Sequence, residues 1–201
     1  MRKLSLSILL AVLSGVGMGY FFLPITILPS LGVIIDIGLM VLLFFVGIDI
    51  GKQKGIFGVI KKVGFRALLV PLAVTIGSIL GSILVGPMLK MKINEAGVIG
   101  AGLGWYSLSS TMLLAEGYVE LSALAFLANV FREISALIII PLVAKYFGEL
   151  EAIAPAGATA MDTALPVISK ATGPQVSVIA FITGVLCTII VPIILPIILN
   201  L

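Results

Sequence analysis

The chain has 201 residues, of which 61% are apolar and only 10% charged, and its formal net charge is +3; its mean hydropathy is +1.32. No water-soluble domain of this size carries that balance, and so small a positive charge argues for no nucleic-acid surface. With no histidine, the usual zinc, haem and acid–base centres lose their commonest ligand, and the lone Cys187 allows no disulfide framework.

Seven hydrophobic segments follow one another near 4–23, 31–50, 65–86, 96–115, 119–147, 152–170 and 175–199, each close to or above the roughly 20 residues that a transmembrane helix needs. They predict an all-α, polytopic membrane helix bundle forming one domain over 1–201. Arg2-Lys3 ahead of the first segment looks like the start of a signal peptide, but no A-x-A cleavage site follows, so the segment is read as a retained helix. Lys52, Lys54, Lys61, Lys62 and Arg66 crowd the loop after the second segment, whereas 24–31 carries no charge. By the positive-inside rule the N-terminus and the 51–66 loop face the cytoplasm, and one crossing per later segment puts the C-terminus outside. Asp36 and Asp49, toward opposite ends of the second segment, are expected to reach interfacial water.

Small residues four apart let membrane helices approach closely. Gly15 and Gly19, Gly77 and Gly81, and Ser78 and Ser82 have that spacing and are read as packing positions. Ser177, Ala180, Gly184, Thr188 and Pro192 share one face of the last segment, which either packs or lines a path.

The fourth and sixth segments are poor continuous helices. Between Gly97 and Gly104 four glycines precede Trp105, Tyr106, Ser107, Ser109, Ser110 and Thr111, and each glycine costs about 1 kcal/mol relative to alanine inside a helix. In the sixth, Pro155 and Pro166 bracket Gly157, Thr159, Asp162 and Thr163; Pro166 lacks the amide hydrogen and disfavours helix at Leu165. Unwound backbone at membrane depth is tolerated only where it is buried in protein or lines a watery cavity. A pair of such interrupted segments, broken or re-entrant, points to a transporter's binding site. Trp105 and Tyr106 fit either an interfacial belt or that site.

In the fifth segment, spacings of three and four put Ser122, Ala125, Asn129, Arg132, Glu133 and Ala136 on one side of a helix. Charges at the bilayer centre cost from about 3 to more than 10 kcal/mol, so this side must face the bundle interior or a hydrated cavity. Arg132 is read as a structural ion pair with Glu133 or Asp162, and the two acids as ion or proton sites. Glu95, Glu116, Glu120, Glu149 and Glu151 belong to loops.

Three stretches together carry a resemblance: Gly104-Trp105-Tyr106-Ser107-Leu108-Ser109, Asn129-x-x-Arg132-Glu133 with Pro141 after it, and Gly157-Ala158-Thr159-x-Met161-Asp162-x-x-Leu165-Pro166. In this order and spacing, with Leu42-Leu43-Phe44-Phe45-Val46-Gly47-Ile48 ahead of them, the chain resembles the LysO-type lysine exporter family over roughly residues 35–199. The resemblance implies export of L-lysine and lysine analogues such as thialysine from the cytoplasm across the cell membrane, with no cofactor and no catalysis. It matches Glu133 and Asp162 to the family's intramembrane acids. Many members resemble longer chains with a further N-terminal membrane unit, which a homo-oligomer or a small membrane partner would have to supply here.

The chemistry of the acids agrees with a cationic substrate. A proton and an ammonium group stabilise opposite states of a carboxyl, so proton and lysine would compete for Glu133 and Asp162, the minimum chemistry of an antiporter. Asn129, Trp105, Tyr106, Ser107, Ser109, Ser110, Thr159 and Thr163 complete the expected site. The alternative is a passive cation or amino-acid channel, or a non-transporting membrane subunit. Membrane catalysis is the poorest reading, since no histidine-based zinc motif and no G-x-S-x-G motif is present.

Overall fold

The computed structural model describes residues 66–201 continuously, together with scattered positions between Leu10 and Ile48. The basic residues between 52 and 62, Asp36, Asp49 and most of the 42–48 stretch lie outside the described residues, and with them the evidence for orientation. Among the described residues all regular structure is helical, as the hydropathy pattern requires.

Three long apolar helices form the frame, numbered here from Arg66 onward: α1 (Arg66–Val85), α4 (Val119–Tyr146) and α6 (Pro174–Leu199). At 1.5 Å per residue a helix of about 20 residues covers the roughly 30 Å of a bilayer core, so each is long enough to cross. Their outer faces are studded with exposed Leu72, Ile76 and Leu80 on α1, Leu127 and Phe131 on α4, and Ile189, Ile193 and Ile197 on α6. Such a surface suits lipid or further apolar helices rather than water.

The fourth segment is two short helices, α2 (Ile93–Ala101) and α3 (Tyr106–Ala115), with Gly102–Trp105 between them. The sixth contains a 3₁₀ turn at Glu151–Ile153, a second at Gly157–Met161, and then α5 (Leu165–Thr172). Pro166 sits in the first turn of α5, where its missing N–H costs nothing.

The two interrupted segments occupy opposite ends of the frame. Lys90, Met91 and Glu95 share one cavity with Gly117, Tyr118 and Glu120. Met112, Ala115 and Glu116 share another with Leu195, Leu199 and Asn200. The start of α2, the end of α3, the start of α4 and the end of α6 therefore lie together. Their core joins Val98, Leu103 and Leu113 to Leu121 and Ala125 of α4 and Val191 and Leu195 of α6. At the other end, Ile153, Ala160, Leu165 and Ile168 pack on Ala136 and Ile140 of α4 and on Val176 and Ile179 of α6. The path from α2 through α3 thus returns to the end from which it started, which differs from one crossing per segment. Hydropathy cannot distinguish the two, because an apolar run of that length serves a crossing or a doubled-back pair equally.

The expected packing rows are divided between two surroundings. Ser78 and Ser82 face α2, where a Cβ on Gly100 would come within 2.6 Å of the Ser78 carbonyl oxygen and 2.9 Å of the Ser82 Cβ. Gly77 and Gly81 face open space among the described residues. On α6, Gly184 lets the Gly157–Met161 turn lie against the helix, since a Cβ there would approach Ala158 O to 2.8 Å and Met161 Cβ to 2.6 Å. The Ser177–Gly184 part of the small-residue stripe is buried, so at Gly184 this face is a packing surface.

Candidate functional site

The polar side of α4 holds both interruptions. Where α2 stops, Leu103 and Gly104 take positive φ values of 48° and 94°, and the helical hydrogen bonds lapse. Asn129, 2% exposed, replaces them. Its Oδ1 accepts the Gly104 N–H at 2.7 Å, and its Nδ2 donates to Ile99 O at 3.3 Å and to Ala125 O at 2.9 Å. Helix ends leave several donors and acceptors without partners, and here a side chain one helix away satisfies them.

Three residues further along α4, Arg132 does the same for the second interruption. Its Nε donates to Pro155 O at 3.0 Å, one terminal nitrogen to Ala154 O at 3.3 Å, and the other to Ser78 Oγ at 2.8 Å. Ser78 Oγ in turn donates to Gly100 O at 2.8 Å, linking α4 through α1 to the end of α2. Gly157 has φ 63°, and a Cβ there would come within 2.9 Å of an Arg132 terminal nitrogen.

The ion pair expected at Arg132 is not what the structure holds. Among the described residues Arg132 meets carbonyl and hydroxyl oxygens, and the ion pair present is Lys92 with Glu95 at 3.7 Å, at the start of α2. The reason is geometric. Neighbouring residues on a helix point roughly 100° apart, so Arg132 and Glu133 face different surroundings.

Glu133 and Asp162 are brought together by Thr163. Thr163 Oγ1 donates to Glu133 Oε1 at 2.5 Å and lies 3.3 Å from Asp162 Oδ1, which also accepts the Thr163 N–H at 2.6 Å. All three residues are half-buried. Asp162 has φ −133° and ψ −98°, outside helical geometry, directly after the Gly157–Met161 turn. The Tyr106 ring meets Phe126 of α4 edge-on at 5.4 Å. Two carboxyls and one hydroxyl thus converge at half-buried depth between α4 and the second interruption.

The remaining expected residues divide. Trp105 is half-buried at the turn, and its carbonyl accepts the buried Ser109 hydroxyl at 2.9 Å. Ser110 bonds Ser107 O at 3.2 Å, Thr111 bonds the same carbonyl, and Thr159 bonds Ala156 O at 2.9 Å. These hydroxyls are engaged with their own backbone, while only Thr163 reaches a carboxylate of another helix. Ser107 itself is exposed. The spacing of Ser78 marks only a packing position; its link to Arg132 spans 54 positions, and no local pattern signals it.

Comparison with known proteins places the chain in a family. The family described as "Lysine exporter LysO" matches residues 9–199. A Haemophilus influenzae protein provisionally named a lysine exporter is 31% identical over 157 residues, covering 78% of this chain and 80% of that protein. "Lysine exporter LysO" of Escherichia coli is 30% identical over 159 residues, covering 78% of this chain and 52% of the relative, so the match spans about half of the longer protein. No solved structure matches the chain. With a family match over nearly its whole length, the chain belongs to the LysO family of lysine exporters.

Proposed function

We propose that this chain is a multi-pass cell-membrane transporter that exports L-lysine, and analogues such as thialysine, from the cytoplasm in exchange for protons. The observation that carries the reading is the joining of Glu133 and Asp162 through Thr163. A carboxyl pair tied to an interrupted segment supplies negative charge for a side-chain ammonium and a place for the proton that replaces it.

In the same reading the two interrupted segments are half-membrane hairpins entering from opposite faces. α2, with 9 residues, and α3, with 10, each reach roughly 13–15 Å, about half of a bilayer core. Meeting of such tips at mid-membrane is where transporters place substrate and coupling ion. Asn129 and Arg132 then act as positioning residues that hold both tips against α4.

Purified protein in proteoliposomes with a pH-sensitive dye inside tests the reading. Saturable lysine movement with opposite, stoichiometric proton movement is expected. Lysine movement without proton counterflow would leave a channel, and no lysine movement would leave a subunit without transport of its own.

A further inference from the structure

We infer that Arg132 is the carboxylate-recognition residue of the transport path, gripping the α-carboxylate of the amino acid at a cavity between α1 and the Ala154–Gly157 turn. The inference rests on the exporter reading and adds the second charge of the substrate to it. Arg132 lies at the centre of α4, 13 residues after Val119 and 14 before Tyr146. A cation at that depth is costly unless its charge is met. Among the described residues its partners are all neutral: two carbonyls and the Ser78 hydroxyl. Glu133 and Asp162, the acids on its own helix and in the neighbouring segment, are engaged with Thr163 instead.

A guanidinium has five N–H donors, and among the described residues three of them are used. One remains on each terminal nitrogen, the pair with which arginine takes both oxygens of a carboxylate. A cavity of about 270 Å³ opens beside it, lined by Ala73, Val74, Gly77, Ser78, Arg132 and Ala154. Among the described residues Arg132 is the one charged group in that lining, and the other walls are small. The space is below the roughly 300 Å³ where drug-sized ligand sites begin, which suits the carboxylate end of an amino acid. Gly77 adds no side chain to it, and a Cβ there would meet nothing.

The test is a binding competition on the full chain in nanodiscs with lysine, lysine amide and cadaverine, the last two lacking the carboxylate charge. Wild-type protein should hold lysine about 10-fold or more tighter than either, the factor expected for a charge-assisted hydrogen-bonded pair. Arg132→Gln should bring the lysine-to-cadaverine preference to near one, and Arg132→Lys should recover part of it. Gly77→Leu, which fills the cavity while leaving the three Arg132 bonds intact, should also weaken lysine and not cadaverine. Equal weakening of both ligands, an undiminished lysine preference in Arg132→Gln and Gly77→Leu, or no preference in the wild type would overturn the inference. Wild-type protein that binds neither ligand would instead refute the exporter reading.

Discussion

The backbone N–H of Ala158 donates to the carbonyl oxygen of Leu103 at 2.8 Å, joining the turn of the first interrupted segment to that of the second. Both residues are buried, and both sit beside positive-φ glycines, Gly104 and Gly157. Where two stretches of unwound backbone meet in an apolar interior, each freed polar group must find a partner. Here they find each other, and the surplus goes to Asn129 and Arg132.

Replacing Asn129 by leucine removes the acceptor of the Gly104 N–H and the donor to Ile99 O. A buried donor left unsatisfied costs about 1–3 kcal/mol. The purified variant should therefore unfold at a clearly lower temperature than the wild type in the same detergent. An unchanged midpoint would mean that water or backbone rearrangement takes over the role of the amide.

Gly157→Ala should be more damaging than an alanine elsewhere in the segment. The position needs φ 63°, and the new Cβ would press on Arg132 as well as on the Leu103 carbonyl. The left-handed conformation alone costs about 1–2 kcal/mol for a residue with a Cβ. Size-exclusion profiles of the detergent extract should show a reduced monodisperse peak for Gly157→Ala, and a near-normal one for Gly81→Ala, a helical position where no described atom lies within 4 Å of the added carbon.

The doubled-back path of α2 and α3 makes a labelling prediction. In a Cys187→Ala background, single cysteines at Lys92, Glu116 and Asn200 should react with an impermeant thiol reagent from one side of the membrane, and a cysteine at Glu149 from the other. One crossing per segment would separate Lys92 from Glu116. A cysteine at Gly55 fixes which side is cytoplasmic: the basic loop predicts protection in intact cells.

Much of the arrangement was legible in the sequence because its causes are local. The clustered glycines before Trp105 and the Pro155–Pro166 bracket mark where helix fails, and the structure stops α2 at Ala101 and restarts α5 at Leu165. The spacing of Ser122, Ala125, Asn129 and Ala136 marks the inward side of α4, and all four are buried. What could not be read depends on pairing between distant elements. An ion pair is the natural expectation for an arginine next to a glutamate, yet the helix sends the two side chains to different neighbours, Ala154 and Pro155 for one and Thr163 for the other. The hydroxyls of Ser109, Ser110 and Thr111 look free in a list of polar residues, but each is taken up by a carbonyl of its own turn or helix.

Thr163 is the test of whether the carboxyl pair acts as a unit. Thr163→Val keeps shape and removes the hydroxyl that bridges Glu133 and Asp162. It should lower lysine transport by about 10-fold, in line with losing one hydrogen bond to a charged group, while Thr163→Ser should stay near the wild type. Equal activity of the two variants would separate the carboxyls functionally.

The most direct measurement is lysine transport in proteoliposomes by Glu133→Gln and Asp162→Asn at matched amounts of folded protein. Each substitution keeps size and hydrogen bonding and removes one titratable charge. The account predicts that both variants insert and purify like the wild type and that both lose lysine-driven proton movement. Near-normal transport by both would contradict it, leaving the acids as structural groups.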